Sequence, residues 1–182
     1  MSLTGTGIHR STGAAALAVK NALHDVAVAA IDALEVARLT AELEAAGEAV
    51  DVDQLEREVD VSYGYRWPAH WPDAVAVTAV QVVAEEGTVG PRQRREMTVR
   101  QDFNITSWRV TDDEKVTHRR AFDLLAVIDA RVREIDPTLA GAALWCRLGD
   151  VQSDGATTED DAGEGRFTEI AATFEARVLI SS

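Results

Sequence analysis

From Glu96 onward apolar and polar residues alternate: Met97, Val99, Phe103 and Ile105 fall on one side of an extended chain, and Thr98, Arg100, Asp102, Asn104 and Thr106 on the other. A period of two marks a strand with one face in a core and one in water. The pattern returns near the end, where Ile170, Ala172, Phe174, Ala176, Val178 and Ile180 share a face opposite Glu169, Thr173, Glu175 and Arg177. Long half-buried strands of this kind require a second layer over their apolar side.

Helices are the natural cover. "GAAALAVKNALHDVAVAAIDALEVARLTAELEAAG", from Gly13, lacks proline and sets Val19, Leu23, Val26, Ala27, Ala30, Ile31 and Leu34 at helical spacing, with Gly47 as a stop. Its alanine-rich face suits close approach to a sheet. A second helix is expected at about 112–135: Asp112 or Asp113 caps it, Ala121, Leu125, Ile128, Val132 and Ile135 form its stripe, and Pro137 follows. Further strands are expected at Val59–Tyr63, in the valine-rich "AVAVTAVQVVAEEG" and in "AALWCRLGDV". The segment between the first two is expected to be a loop, because Pro68 and Pro72 forbid regular pairing within it, and Gly87, Gly90 and Pro91 reverse the chain before Glu96. The expectation is therefore an α+β fold, with a mainly antiparallel sheet of four to five strands packed against a long N-terminal helix and the second helix. Residues 1–12, rich in Gly, Ser and Thr, are expected to be flexible, and 13–182 to form a single domain.

Charge and composition narrow the function. Eighteen basic against 31 acidic side chains give a net charge of −13, which excludes a surface attracting phosphate all over. Aromatic residues make up only 5%, so the core must be aliphatic. The single cysteine, Cys146, permits neither an internal disulfide nor a cysteine-based zinc site, and its strand position suits a core residue. The start of the chain lacks a signal-peptide pattern and no run of 18 apolar residues occurs, so a reduced, intracellular setting without a membrane role is expected.

Catalytic signals are lacking. His9, His24, His70 and His118 lie on different expected elements, without an HExxH pattern, and there is no G-x-S-x-G elbow or extended phosphate-binding fingerprint. No catalytic residue, cofactor or metal is expected. The acidic stretch with Asp154, Glu159, Asp160, Asp161 and Glu164 departs from calcium-loop spacing and is expected to be a solvated hairpin tip. In a ring, copies of it would form a negative wall that keeps passing DNA from adhering.

The run Arg92, Arg94, Arg95 has no interleaved aromatics and no helix to enter a groove, which disfavours sequence-specific nucleic-acid binding. As a strand edge it either pairs with carboxylates of a neighbouring copy or stays solvated and discourages aggregation. Tyr63, Tyr65, Trp67 and Trp71 cluster beside prolines, a composition suited to a protein contact surface or to a ligand pocket. Candidate interface residues are thus Arg92, Arg94, Arg95, Arg100, Tyr65, Trp67 and Trp71.

Taken in order, "VSYGYRWP", a valine-rich strand, "GPRQRREMTVRQDFNITSWRV", "DDEKVTHRRAFDLLAVIDARV", "DPTLAGAALWCRLGDV" and "FTEIAATFEARVLI" resemble the tail terminator proteins of long-tailed bacteriophages of actinobacteria. The resemblance runs from about Val59 onward, preceded by the helix expected in that family. It implies a structural virion protein of the viral tail, without catalysis. Such a protein forms a hexameric ring on the tail tube, ends tube polymerisation and offers the surface for head-tail joining. The implied partners are further copies of the chain, the tail tube protein and a head-tail connector protein, with DNA only as passing cargo; the implied place is the head-proximal end of the tail, after assembly in the host cytoplasm. A connector or neck protein is the alternative, and a small-ligand-binding α+β domain a more distant one. The acidic stretch from about Thr40 to Glu58 has no counterpart in shorter family members, so no contacts are carried over to it.

Overall fold

The computed structural model describes residues 7–52, 55, 58–66, 72–84, 94–160 and 163–181, with the backbone alone at 84, 94, 158–160, 163 and 164. The elements in chain order are β1 (Ile8–His9), α1 (Thr12–Ala46), β2 (Val59–Ser62), β3 (Asp73–Ala84), β4 (Arg94–Arg109), α2 (Glu114–Glu134), β5 (Trp145–Asp160) and β6 (Gly163–Ser181). The fold is α+β. All six strands join one sheet, and both helices pack against it.

β4 and β6 form the centre, antiparallel along their whole length from Arg94↔Ser181 to Arg109↔Arg166. β3 pairs with β4, and β2 lies parallel at the outer edge of β3. On the other side, β6 carries β5 along most of its length and β1, parallel, beside Leu179 and Ile180. The alternation reads directly onto this register: Val99, Phe103 and Ile105 of β4 and Ile170, Ala172, Phe174, Ala176 and Val178 of β6 are buried on the helix side.

α1 starts from Ser11, whose hydroxyl accepts the Ala14 amide, and stops at Gly47 in the left-handed region. It contributes Ala15, Val19, Leu23, Val26, Ala27, Ala30 and Ile31 to the core. By length and composition it would also be apolar enough to cross a membrane. In this fold those apolar residues cover the sheet. α2 is capped by Asp113 and ends at Ile135, which is exposed rather than part of the stripe; Leu124 is buried in its place.

Three expectations change in detail. Among the described residues the sheet has six strands and is mixed, because β1 and β2 join by parallel pairing. Two-residue β1 lies in the stretch expected to be flexible, where short glycine-rich sequence carries no period to read. Finally, the acidic stretch is mostly strand: β5 continues through Asp154 to Asp160 in register with β6. Glycine and aspartate lower strand propensity, yet backbone pairing with β6 carries the strand through them.

β1 depends on Gly7, which sits at φ +60°, donates to Gly141 O at 2.8 Å and accepts from the Leu179 amide at 2.7 Å. A Cβ there would lie 2.6 Å from backbone atoms of Ala143 and Leu144. Gly7→Ala is expected to undock β1 at a cost of about 1–3 kcal/mol. Hydrogen exchange should show the Leu179 amide losing protection while the β4–β6 ladder keeps it.

Candidate functional site

With both helices on one side, the opposite face of the sheet is left without a covering element among the described residues. Its shape comes from two β-bulges. Between Val77 and Val80, β3 carries an extra residue opposite β4, and between Leu148 and Val151, β5 does so opposite β6. Both face the same row, the Asp102↔Thr173 pair. Bulges sharpen local twist, so the row becomes the floor of a bent sheet.

The carbonyls freed at the β3 bulge are met from the helix side. Lys20 Nζ donates to Thr78 O at 2.6 Å, and Gln101 Nε2 donates to Ala79 O at 2.8 Å. This explains a glutamine at a fully buried strand position; its Oε1 has no partner. On the open face, Thr173 Oγ1 donates to an Asp102 carboxylate oxygen at 3.0 Å. A cleft of about 790 Å³ spans the row, walled by Asp102, Asn104, Asp150, Gln152 and Thr173, with Tyr65 on its rim. Among the described residues its polar groups are amides, hydroxyls and carboxylates, and neither a histidine nor a lysine lines it. Among the described residues no cluster of three His, Cys, Asp or Glu is placed to hold a metal ion.

Beyond the bulges, toward the β4 N-terminus, the open face turns basic. Glu175, mostly buried, takes Arg100 on one carboxylate oxygen and Arg147 on the other, each at 3.0 Å. These two partners hold the Glu175 carboxyl below the usual carboxylate range, with the Arg147 hydrogen bond the larger effect. Arg177 pairs with Glu96 at 2.6 Å, and the Arg147 guanidinium lies 5.2 Å from the Trp145 ring. A depression of about 300 Å³ lies among Val83, Thr98, Trp145 and these charges.

The expected interface residues are thus separated. Arg100 lies in the basic cluster, and Arg95 is exposed near the same end of the sheet, paired in register with Ile180. The Arg94 backbone pairs with Ser181. Tyr65 is 75% exposed, at the cleft rim rather than with the arginines. Arg92, Trp67, Trp71 and Asp161 lie outside the described residues. Asp154 is exposed on β5 opposite Glu169, while Glu159 and Asp160 on β5 and Glu164 on β6 occupy the far end of the hairpin. Acidic and basic candidates therefore sit at opposite ends of one sheet.

A buried ion network, not expected from the sequence, ties the two helices to the sheet. Glu35 of α1 and Asp73 of β3 are 0% and 1% exposed. Arg120 of α2 bridges them, reaching Glu35 at 2.6 Å and Asp73 at 2.8 Å. Arg109 grips both Asp73 oxygens at 2.8 and 2.7 Å, and Ser107 donates to one of them at 2.8 Å. Glu35 also takes Arg38 and the Glu58 amide. One signal was available: Glu35 follows Ala27 and Ile31 at four-residue steps on the apolar face of α1.

Burial pushes both carboxyls up, but the arginine hydrogen bonds outweigh it and hold each below its ordinary value: those from Arg38 and Arg120 for Glu35, and those from Arg109 and Arg120 for Asp73. A carboxyl depressed on folding stabilises the fold above its unfolded pKa, and that contribution is lost as pH falls through the folded value. With ordinary values of 4.5 and 3.8, stability from this network should hold at neutral pH and decline once pH falls below about 4.5. Urea midpoints measured across that range test this; a midpoint unchanged down to the folded pKa values would deny the network its role.

No known family model matches the sequence, and no curated protein matches it.

Proposed function

We propose that this chain is a structural subunit of a phage tail, a tail terminator that forms a ring on the finished tube and presents the head-joining surface. The main support is the order of the segments that resemble that family; where they are described, their strands join one sheet and their helix packs on it. The open face adds support. Among the described residues its groups are arranged as ion pairs and a polar cleft rather than as an acid, a base and a nucleophile around a common point.

The test is to add the purified chain to polymerising tail tube protein and measure tube length by negative-stain imaging. Shortened tubes with density at one end are expected. Unaltered tubes, together with binding to a connector protein, would favour the neck-protein role instead; failure to bind either would end both readings.

A further inference from the structure

We propose that the basic cluster around Arg100, Arg147 and Trp145 receives the acidic β5–β6 hairpin of a second copy, joining subunits head to tail. The proposal rests on the ring reading and adds the contact that would build it.

At the basic end two guanidiniums share one carboxylate. Arg100 is 44% and Arg147 67% exposed at their side chains, while Glu175 is only 17% exposed. Each arginine carries more donors than Glu175 can fill, and the depression beside them has Trp145, 39% exposed, as an apolar wall. Such a site fits an acidic strand with small neighbouring side chains. The chain carries such a segment: from Leu148 to Gly165 there is no Lys or Arg, and Asp150, Asp154, Glu159, Asp160, Asp161 and Glu164 fall within it.

The fold keeps the two apart within one molecule. β5 and β6 stay paired from Trp145↔Arg177 to Asp160↔Gly163. The hairpin end therefore lies twelve residues from Glu175 along β6, about 40 Å at about 3.3 Å per residue. An extended hairpin cannot fold back onto its own base, so its charge can meet the cluster only on another copy. A contact between two different surfaces is heterologous, and repetition closes a ring or extends a filament. It would also offset the repulsion that −13 per subunit brings to an assembly.

Charge complementation tests this in the full chain. Arg147→Glu alone, and the triple change Asp154→Lys, Glu159→Lys, Asp160→Lys alone, should each weaken self-association at low salt by about tenfold or more, measured by sedimentation velocity. Mixing the two should restore it, because each altered end then faces its opposite charge. Circular dichroism confirms that each variant is folded. If Arg147→Glu does not fold, Arg100→Cys mixed with Asp154→Cys replaces it. With oxidised glutathione added to accept the two electrons, a disulfide-linked dimer should form in the mixture and not in either variant alone. Burial pushes the native Cys146 thiol up to about 12 and keeps it from competing. A wild-type chain that stays monomeric at low salt, variants that associate like wild type, or a mixture without recovery or crosslink would overturn the proposal. Tube capping is read separately, so rings that form and cap without this contact would leave the functional reading standing.

Discussion

Arg120→Met is expected to lower the free energy of unfolding by about 3–5 kcal/mol, seen as a large drop in the urea midpoint at neutral pH. Arg120 is the bridge between two carboxylates that are 0% and 1% exposed. Removing it leaves both where water cannot replace the lost donors, and the penalty of a buried uncompensated charge exceeds the net worth of an intact pair. The remaining partners limit the loss, since Asp73 keeps Arg109 and Ser107 and Glu35 keeps Arg38.

Two further measurements separate this cause from loss of packing. Combining Arg120→Met with Glu35→Gln should cost less than the sum of the single changes, because the charge that Arg120 neutralised is gone as well. The acid limb should also move. Without Arg120 the carboxyls are less strongly depressed, so the stability lost below about 4.5 should be smaller and should level off at a higher pH than in the wild type. A strictly additive pair and an unmoved acid limb would mean that Arg120 acts only by filling space.

Phe174→Ala is expected to cost about 3–5 kcal/mol. Phe174 is fully buried on the helix side of β6, with its ring 4.9 Å from that of Phe103 at a tilt of 57°. It pairs in register with Gln101 and with Leu148, beside both bulges. The β3 bulge is held by specific contacts to Lys20, Gln101 and Asp102. The surroundings are thereby kept from collapsing into the space left behind, which places the cost in the upper part of the range for a large-to-small change. Phe122, 43% exposed on α2, is the control. Its truncation should change stability by no more than about 0.5 kcal/mol. Equal effects at the two positions would show that burial on the sheet is not what stabilises Phe174.

The candidate surface was only partly legible. Arg100 could be placed on the polar face of its strand from alternation alone, and it lies there. Its pairing with Glu175 and nearness to Arg147 depend on β6 lying between β4 and β5, an order that local sequence does not encode. Tyr65 was grouped with the arginines, yet the parallel placement of β2 carries it to the cleft on the other side of the bulged row. The acidic stretch was expected to be a tip because glycines and aspartates mark turns. Sixteen residues of β5 run alongside β6 instead, and this carries part of the acidic charge onto strands.

Periodicity, capping and breakers are properties of neighbouring residues. They were therefore enough to define two helices, the long alternating strands and which side of each faces the core. Burial of a charge is decided by what other segments bring to it. Glu35, Asp73, Arg109 and Arg120 are separated by up to 85 positions in the chain and become one network only when α1 and α2 settle on the sheet. The same is true of the bulged row, where extra residues in β3 and β5 meet across β4 and β6. Local patterns decide the elements because helix and strand repeat over a few residues; their register and the ionic contacts among them arise only when the folded chain closes those distances.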